Sequence, residues 1–296
     1  MERQHHDDLG TFFGGYDTWA LSVNSRGEIV GLAYNTIPDS NSLFGYGYQS
    51  RAFYWNNGVV QDLGTLGTGN DAAAGVINER GQVIGLAFTS SNPDEFCTIG
   101  GTTSGWNPFV IYTTGSFFWD KKNGMKDLGG LGGDCTVAND LNDQGQVVGL
   151  SSLPGDTQFH PFVWNAATGM TDLFNPYGSS FGWAFAENAH GNIVGQICDA
   201  VTCYAVLWRK RGGHWEKTNL STSTQSAIAV SINASEQAVG LTLLYEWLGR
   251  GLGGGWWAGR RFEHSDSSRF RHAACRSGPN QRSRRDCRQG SRRERQ

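Results

Sequence analysis

Charge is scarce in this sequence, and long apolar runs are absent. Asp, Glu, Lys and Arg make up 17% of the 296 residues, a fraction that is low for a cytosolic enzyme and ordinary for a secreted β-rich scaffold. No stretch is long and apolar enough to span a membrane. The first residues, MERQHHDD, contain no apolar segment, so no signal peptide is visible. We expect either a cytoplasmic protein or a secreted one whose true start lies upstream of Met1.

Sequence motifs of known enzyme classes are missing as well. The chain has no Gly-x-Ser-x-Gly, no His-Glu-x-x-His and no phosphate-binding loop. Residues 140–145 superficially resemble a calcium-binding loop, but Ser151 occupies the twelfth position, where such a loop needs a carboxylate. The six cysteines are not spaced as metal ligands. From the sequence we assign no catalytic residue, no cofactor or cofactor-binding residue and no metal ligand.

What the sequence does contain is a motif repeated five times. Its anchor is a turn that begins with asparagine and, in four copies, ends with glycine three residues later. An alanine lies four residues before each asparagine, and a glycine lies seven residues after it. The asparagines are Asn24, Asn78, Asn142, Asn188 and Asn233. Asparagine opens a tight turn by bonding its own backbone, and glycine closes the turn at positive φ.

Short runs of alternating or β-branched residues flank each turn. They predict the two strands of a hairpin, as in residues 20–23 and 28–33. A third strand rich in Phe and Trp follows in four copies, and a second turn and a short fourth strand end the unit. No helical periodicity of comparable length occurs.

One four-stranded sheet of this size cannot cover both of its faces, whereas neighbouring copies can cover each other. We therefore predict an all-β fold, a β-propeller-like ring of about five four-stranded units in which the last unit is incomplete. The alternative is a β-solenoid or another all-β fold, although solenoid coils are normally shorter and more even.

The predicted repeat domain spans residues 1–244, with units at about 10–64, 65–129, 130–173, 174–220 and 221–244. Residues 1–9 resemble a fourth strand and could close the ring by completing the last unit. The body is acidic: residues 1–248 hold 11 Lys and Arg against 23 Asp and Glu, a balance of −12. Its field should not attract nucleic acid.

Residues 245–296 form a basic tail rich in Gly, Arg and Ser, and residues 249–296 carry a balance of +9, from 13 Lys and Arg against 4 Asp and Glu. One interpretation is an arm that binds nucleic acid or an anionic surface. The other is a disordered or non-native end. We favour the second, because the repeat stops inside a unit rather than at a boundary.

Three segments carry a resemblance to a known family. They are Asp-Leu-Gly-Thr-Leu-Gly at 62–67, Asn-x-x-Gly-Gln-Val-Val-Gly at 142–149 and His-Pro-Phe-Val-Trp at 160–164. Over residues 7 to 241 the chain resembles the HAF-repeat family of extracellular bacterial repeat proteins. The histidine of the naming motif is kept only at His160, and the other copies have Arg51, Ser116 and Tyr204. The resemblance implies a repetitive β architecture and an extracellular or periplasmic location, and it implies no catalytic residue.

Unit lengths differ mainly in the link between the second and third strands. The link is long in unit one, at about 34–50, and longest in unit two, at about 89–115. Because antiparallel strands alternate in direction, these links and the connectors between units emerge on one face, which is our candidate binding surface. The alternative is that the links are neutral insertions.

Two sets of residues have competing interpretations. Cys198 and Cys203 have a spacing that would place them opposite each other across a hairpin, where a disulfide is possible, or they are free thiols in a reducing compartment. Cys97 and Cys135 could also pair. The aspartates of the Asp-Leu-Gly motifs recur once per unit and so should cap backbone amides rather than act as catalytic acids. They are Asp8, Asp62, Asp127 and Asp172.

Three functions are compatible with these features. The first is a non-enzymatic extracellular scaffold that binds a glycan or a protein through the face with the long links. The second is a glycoside hydrolase on a five-bladed propeller, for which Asp140 and Glu187 are the acidic residues on the predicted inner strands. The third is a degenerate gene product with no specific activity.

Overall fold

The computed structural model describes residues 9–90, 114–173, 181–199, 202–221 and 226–242, and in these residues every regular element is a β-strand. The predicted all-β class is therefore confirmed. In the described part of the chain there is no helix with the length and hydropathy that a membrane crossing needs. The segment 1–8 and the tail 245–296 lie outside the described residues, as does most of the long link of unit two.

The strands form four successive groups of four, followed by a pair. Unit one contains β1 (Gly14–Val23), β2 (Ile29–Pro38), β3 (Tyr48–Asn56) and β4 (Val59–Asp62). Unit two contains β5 (Ala72–Ile77), β6 (Val83–Phe88), β7 (Thr114–Asp120) and β8 (Gly124–Asp127). Unit three contains β9 (Thr136–Leu141), β10 (Val147–Ser152), β11 (Phe159–Asn165) and β12 (Gly169–Asp172). Unit four contains β13 (Phe181–Glu187), β14 (Ile193–Cys198), β15 (Cys203–Arg211) and β16 (His214–Asn219), and unit five contains β17 (Ala227–Ile232) and β18 (Ala238–Thr242).

Each four-stranded unit is an antiparallel meander in chain order. Units three and four are joined into one eight-stranded sheet by a single parallel pairing, Phe159 with Phe181. The β1–β4 and β5–β8 sheets are separate four-stranded sheets. The predicted link of unit one was too long, because β2 continues to Pro38 and β3 begins at Tyr48, which leaves only residues 39–47 between them.

The repeated alanines and glycines have equivalent positions in all five units. Each alanine on a first strand pairs with the glycine of the second strand, and a bulge follows the alanine. The pairs are Ala20–Gly31, Ala74–Gly85, Ala138–Gly149, Ala184–Gly195 and Ala229–Gly240. A Cβ added to Gly85 would lie 2.1 Å from the carbonyl oxygen of Ala73 and 2.6 Å from the Phe117 ring. Atoms of the first and third strands thus lie too close to this position for any side chain, so glycine is required here.

The core lies between neighbouring units. The first strand of each later unit packs against strands of the unit before it, as β5 packs against β1, β2 and β3. Between units one and two, Val30 and Tyr54 share a hydrophobic cluster with Ala74 and Trp119. Between units three and four, Val148 and Val163 share one with Ala184 and Trp208. Each unit thus leaves an apolar face that only its neighbour covers.

The asparagine turns have one geometry throughout. In the first, the Oδ1 atom of Asn24 accepts hydrogen bonds from the backbone N–H groups of Arg26 and Glu28, both at 3.1 Å. The four closing glycines have φ between 74° and 78°. In unit five, Glu236 replaces glycine and still adopts φ 60°, a region that costs a residue with a Cβ about 1 to 2 kcal/mol.

The same asparagines also connect the units. The Nδ2 atom of each donates to the backbone carbonyl of the asparagine in the next unit. These bonds are Asn24 to Asn78 (3.1 Å), Asn78 to Asn142 (2.9 Å), Asn142 to Asn188 (3.4 Å) and Asn188 to Asn233 (3.0 Å). We call this series the asparagine ladder. It runs along the turn face, across all four interfaces between units.

Asn78→Asp should destabilise the protein by about 2 kcal/mol, because it removes the ladder donor while it keeps the Oδ1 atom that forms the turn. Urea unfolding followed by tryptophan fluorescence measures the change.

Asn233→Asp, measured at protein concentrations at which the chain is monomeric, is the matched control. Both asparagines also donate to a glutamine four residues later, at 2.7 Å, but only Asn78 bonds a following unit within the described residues. A control variant that loses as much stability as Asn78→Asp would contradict a role for the ladder.

Candidate functional site

The face opposite the asparagine turns carries the links and the connectors between units. In unit one, β1 and β2 are ten residues long, whereas the corresponding strands of units two and three have six. The extra length places the 39–47 link next to the connector between units one and two. Link and connector meet where the backbone N–H of Leu43 donates to Asp71 at 3.2 Å.

The 39–47 link is held by its own hydrogen bonds. The backbone N–H of Asp39 donates to the carbonyl of Gly47 at 2.9 Å, and Asp39 Oδ1 accepts from the backbone N–H of Asn41 at 2.7 Å. Ser42 Oγ, which is buried, accepts from the backbone N–H of Gly47 at 3.0 Å. The link is therefore a folded structure that can present side chains in fixed positions.

Four aromatic rings gather at this link. The ring centroids of Trp19 and Tyr46 are 5.5 Å apart, those of Trp19 and Phe44 are 6.0 Å apart, and those of Tyr34 and Tyr46 are 5.1 Å apart. Tyr34 is buried, Trp19 and Phe44 are half-buried, and Tyr46 is 51% exposed. We call these four residues the aromatic platform. Their rings offer an apolar surface fixed at its base and open to solvent at its edge.

A buried carboxyl group lies next to the platform and bonds the link. Asp71 is fully buried, and its Oδ1 atom accepts hydrogen bonds from the backbone N–H and the hydroxyl of Ser50, both at 2.8 Å, as well as from Leu43. Burial raises the pKa of Asp71 despite these bonds. Its Oδ2 atom and the hydroxyl of Tyr34 are both buried without a hydrogen-bond partner. Burial, followed by the charges of Tyr46 and Asp71, raises the pKa of Tyr34.

Two of the Asp-Leu-Gly aspartates bond backbone amides. Asp62 and Asp127 each accept a hydrogen bond from the N–H of the glycine two residues later, at 2.8 Å. Asp62 also binds the Arg51 guanidinium, and Asp172 bonds His160 Nδ1 at 2.8 Å. His160 thus connects the third strand of unit three to the fourth. Asp8 lies outside the described residues.

The structure brings the other two predicted acids together at the interface of units three and four. Asp140 Oδ2 accepts a hydrogen bond from the backbone N–H of Glu187 at 2.8 Å. Glu187 Oε2 accepts from Asn142 Nδ2 at 2.8 Å and from Gln146 Nε2 at 2.6 Å, while its Oε1 atom is buried without a partner. Burial, together with the charge of Asp140, raises the pKa of Glu187 to about 9.

The position of Glu187 in the repeat explains its raised pKa. Glu187 lies just before the turn asparagine, and at this position the other interfaces have buried apolar residues, namely Ile77, Leu141 and Ile232. A carboxyl group placed in such a position loses solvation and favours its neutral form.

Glu28 is also buried, but it is ionised, in contrast to Glu187. Burial alone would raise its pKa, but hydrogen bonds from Tyr54, Arg26 and Asn24 outweigh this effect and lower the pKa to about 2. The Nζ atom of Lys121, from unit two, lies 3.6 Å from Glu28 Oε1 and 4.7 Å from the centre of the Tyr54 ring. Glu28 is therefore an ionised group that links units one and two.

The cysteines of unit four lie at its link. Strand register pairs Cys198 with Cys203, and their sulfur atoms are joined at 1.98 Å. Cys135 is also disulfide-bonded, whereas Cys97 lies outside the described residues. Within the described part of the chain, no group of three or more His, Cys, Asp or Glu side chains could hold a metal ion.

Among the comparisons with known proteins, only that with solved structures found similar proteins. No protein-family model matches the chain, and no curated protein matches it. The β-propeller domain of the Trilobed protease from Pyrococcus furiosus is similar, with a TM-score of 0.45 and 9% identity over 78% of this chain and 64% of that one. TolB from Acinetobacter baumannii gives a TM-score of 0.42 and 10% identity over 77% of this chain and 51% of that one. The Xanthomonas campestris gluconolactonase XC5397 gives 0.34 and 10%, over 76% and 68%. Similarity at this level establishes neither the number of units nor an activity.

Sequence reasoning placed the candidate surface on the link face but did not identify the platform. Phe44 and Tyr46 belong to the link, whereas Trp19 and Tyr34 come from β1 and β2. One feature could have indicated the platform. Ala20 and Gly31 pair across the first hairpin, and Trp19 and Tyr34 each lie between that pair and the link end of their strand.

Glu187→Gln should flatten the pH dependence of stability above about pH 5. Because the native protein holds the proton of Glu187 more tightly than the unfolded chain does, this residue contributes stability below its unfolded pKa of 4.5. That contribution is lost as the pH rises toward about 9. Over this range the native sequence should lose up to about 1.4 kcal/mol per pH unit relative to the variant.

Urea titrations at several pH values between these limits test the expectation. Glu216→Gln, on the exposed strand β16, is the control and should leave the curve unchanged. Parallel curves for Glu187→Gln and the native sequence would contradict the burial of an uncompensated acid.

Proposed function

We propose that this protein is a non-enzymatic repeat scaffold of the β-propeller type that binds a glycan through the aromatic platform. The observation that carries the proposal is the platform itself, a set of four rings from the folded link and the two strands beside it, with Tyr46 exposed at its edge. Loops presented by a rigid β scaffold are a common place for recognition.

The chemistry of the platform suits a sugar. Aromatic rings offer an apolar face to the C–H groups of a pyranose, and nearby polar groups can bond its hydroxyls. Asp17 is exposed on β1, two residues before Trp19. Its carboxylate can accept hydrogen bonds from sugar hydroxyls without a change in the backbone.

A ring arrangement is supported by the repetition of one interface. In every pair of successive units, the first strand of the later unit packs on the earlier unit, and the ladder joins their turns. Repetition of one rotation between neighbours generates either a ring or a superhelix. Antiparallel four-stranded units with short inner strands favour the curvature of a ring, and among the described residues no sheet joins unit five to unit one.

An extracellular or periplasmic location is supported by the cysteines. The Cys198–Cys203 disulfide, and the disulfide that involves Cys135, are stable in oxidising compartments and rare in the cytosol. The HAF-repeat resemblance is consistent with the same location.

Tyr46→Ala should weaken glycan binding about fivefold to tenfold, because one ring contact contributes about 1 kcal/mol. The probes are soluble β-glucan, α-glucan, xylan and chitin oligosaccharides. Binding is followed by tryptophan fluorescence, since Trp19 belongs to the platform, and by calorimetry.

Tyr204→Ala is the control, because Tyr204 is a half-buried tyrosine at the link side of unit four, outside the platform. Equal loss in both variants, or binding that Tyr46→Ala leaves intact, would contradict the site. If none of the four polysaccharides binds, the glycan proposal fails and a protein partner becomes the expectation for this face.

A second candidate function is glycoside hydrolysis. It is favoured by one observation: burial and the charge of Asp140 raise the pKa of Glu187 to about 9, and a carboxyl group that holds its proton near a second acid is the pairing that many glycosidases use for acid–base catalysis. Turnover of aryl glycosides by the native protein, abolished by Glu187→Gln while the fold is retained, would support it. Absence of turnover in the native protein counts against it.

A further inference from the structure

The first unit has an uncovered face at a position that is buried in every other unit. The residue just before the turn asparagine is 8% exposed or less in units two to five, as Ile77, Leu141, Glu187 and Ile232. In unit one the equivalent residue, Val23, is 62% exposed. Ala20 is exposed as well, whereas Ala74 and Ala184 are fully buried. A face built like an interface between units is therefore open along β1.

Part of this face is already covered. Phe53 corresponds to Phe117, which packs between units one and two. Phe53 is fully buried because Leu9, Phe12 and Phe13 pack on it. The ring centroids of Phe12 and Phe53 are 4.9 Å apart. The open region is thus confined to the inner strand β1 and the end of its hairpin.

The fifth unit has the complementary open face. Val239 and Leu241 occupy the positions of Val30 and Leu32, which are fully buried against unit two. In unit five, Val239 is half-buried and Leu241 is 38% exposed. The side of unit five that would face a following unit is therefore uncovered by the described residues.

The asparagine ladder has matching free ends. The carbonyls of Asn78, Asn142, Asn188 and Asn233 each accept from the closing turn residue and from the asparagine of the preceding unit. Within the described residues, the carbonyl of Asn24 accepts only from Gly27, and Asn233 Nδ2 donates only to Gln237. One end of the ladder has an unused acceptor site, and the other has a donor with no following unit.

We propose that these two faces bind each other between copies of the chain, so that unit five of one copy covers β1 of a second copy. Asn233 Nδ2 would then donate to the carbonyl of Asn24 and extend the ladder across the contact. Two reasons identify the occupant as a second copy. The described units of a single chain leave both faces exposed, and the face of unit one has the unused ladder acceptor while the face of unit five has the ladder donor. Such a head-to-tail contact joins two different surfaces, so it allows chains or closed rings of copies.

Sedimentation velocity of the full-length protein over a range of concentrations tests this proposal. The native protein should associate increasingly with concentration. Val23→Asp should weaken the association at least tenfold, because it places a carboxylate in the apolar contact. Val59→Asp is the matched control, since Val59 is 69% exposed on β4 of the same unit and belongs to none of the interface clusters. It should associate like the native protein.

A mixing experiment then distinguishes a head-to-tail contact from a symmetric one. Leu241→Asp blocks the other face, so it should also fail to associate alone. An equimolar mixture of Val23→Asp and Leu241→Asp contains one intact pair of faces and should form dimers that grow no further. A native protein that stays monomeric at all concentrations, a control as weak as Val23→Asp, or a mixture that stays monomeric would each overturn the proposal.

Discussion

The asparagine at each turn is the residue on which this architecture depends, because it satisfies two structural demands with one side chain. Its oxygen fixes the turn by accepting two backbone N–H groups, and its nitrogen bonds the next unit. The turn therefore cannot form correctly without also orienting the donor that joins the units. Local and long-range structure agree at the same residue, which is the condition for a sequence that specifies one fold.

This coupling explains why the two faces of the molecule differ. Ladder asparagines are separated by 54, 64, 46 and 45 residues in the chain, yet each meets the next through an equivalent bond. The variation is absorbed mainly on the link side, where β1, β2 and the 39–47 link extend unit one. One face is thus fixed by repeated bonds, while the other can change in length and composition without altering the packing.

The sequence predicted the class of fold, the strand order within a unit and the turn chemistry, because each of these is encoded locally. Asn24, Gly27 and Gly31 act through their own backbone or through a neighbouring strand, so their spacing alone reveals them. The ladder could not be predicted in this way, because the partner of Asn24 Nδ2 is set by the rotation between units. For the same reason, the raised pKa of Glu187 depends on its burial against unit three, which the sequence did not reveal. The platform combines residues from a link and two strands, and only the register of β1 and β2 brings them together.

Glu236 shows what the last turn gains from losing its glycine. Its backbone adopts a conformation that disfavours a side chain, yet that side chain reaches two groups of unit four, accepting from the guanidinium of Arg209 at 2.6 Å and from Asn192 Nδ2 at 2.8 Å. Glycine would relax the turn but provide neither contact. The hairpin of unit five, of which the structure describes two strands, is thereby joined to unit four by charge as well as by the ladder. Ionic strength should consequently influence the attachment of this hairpin.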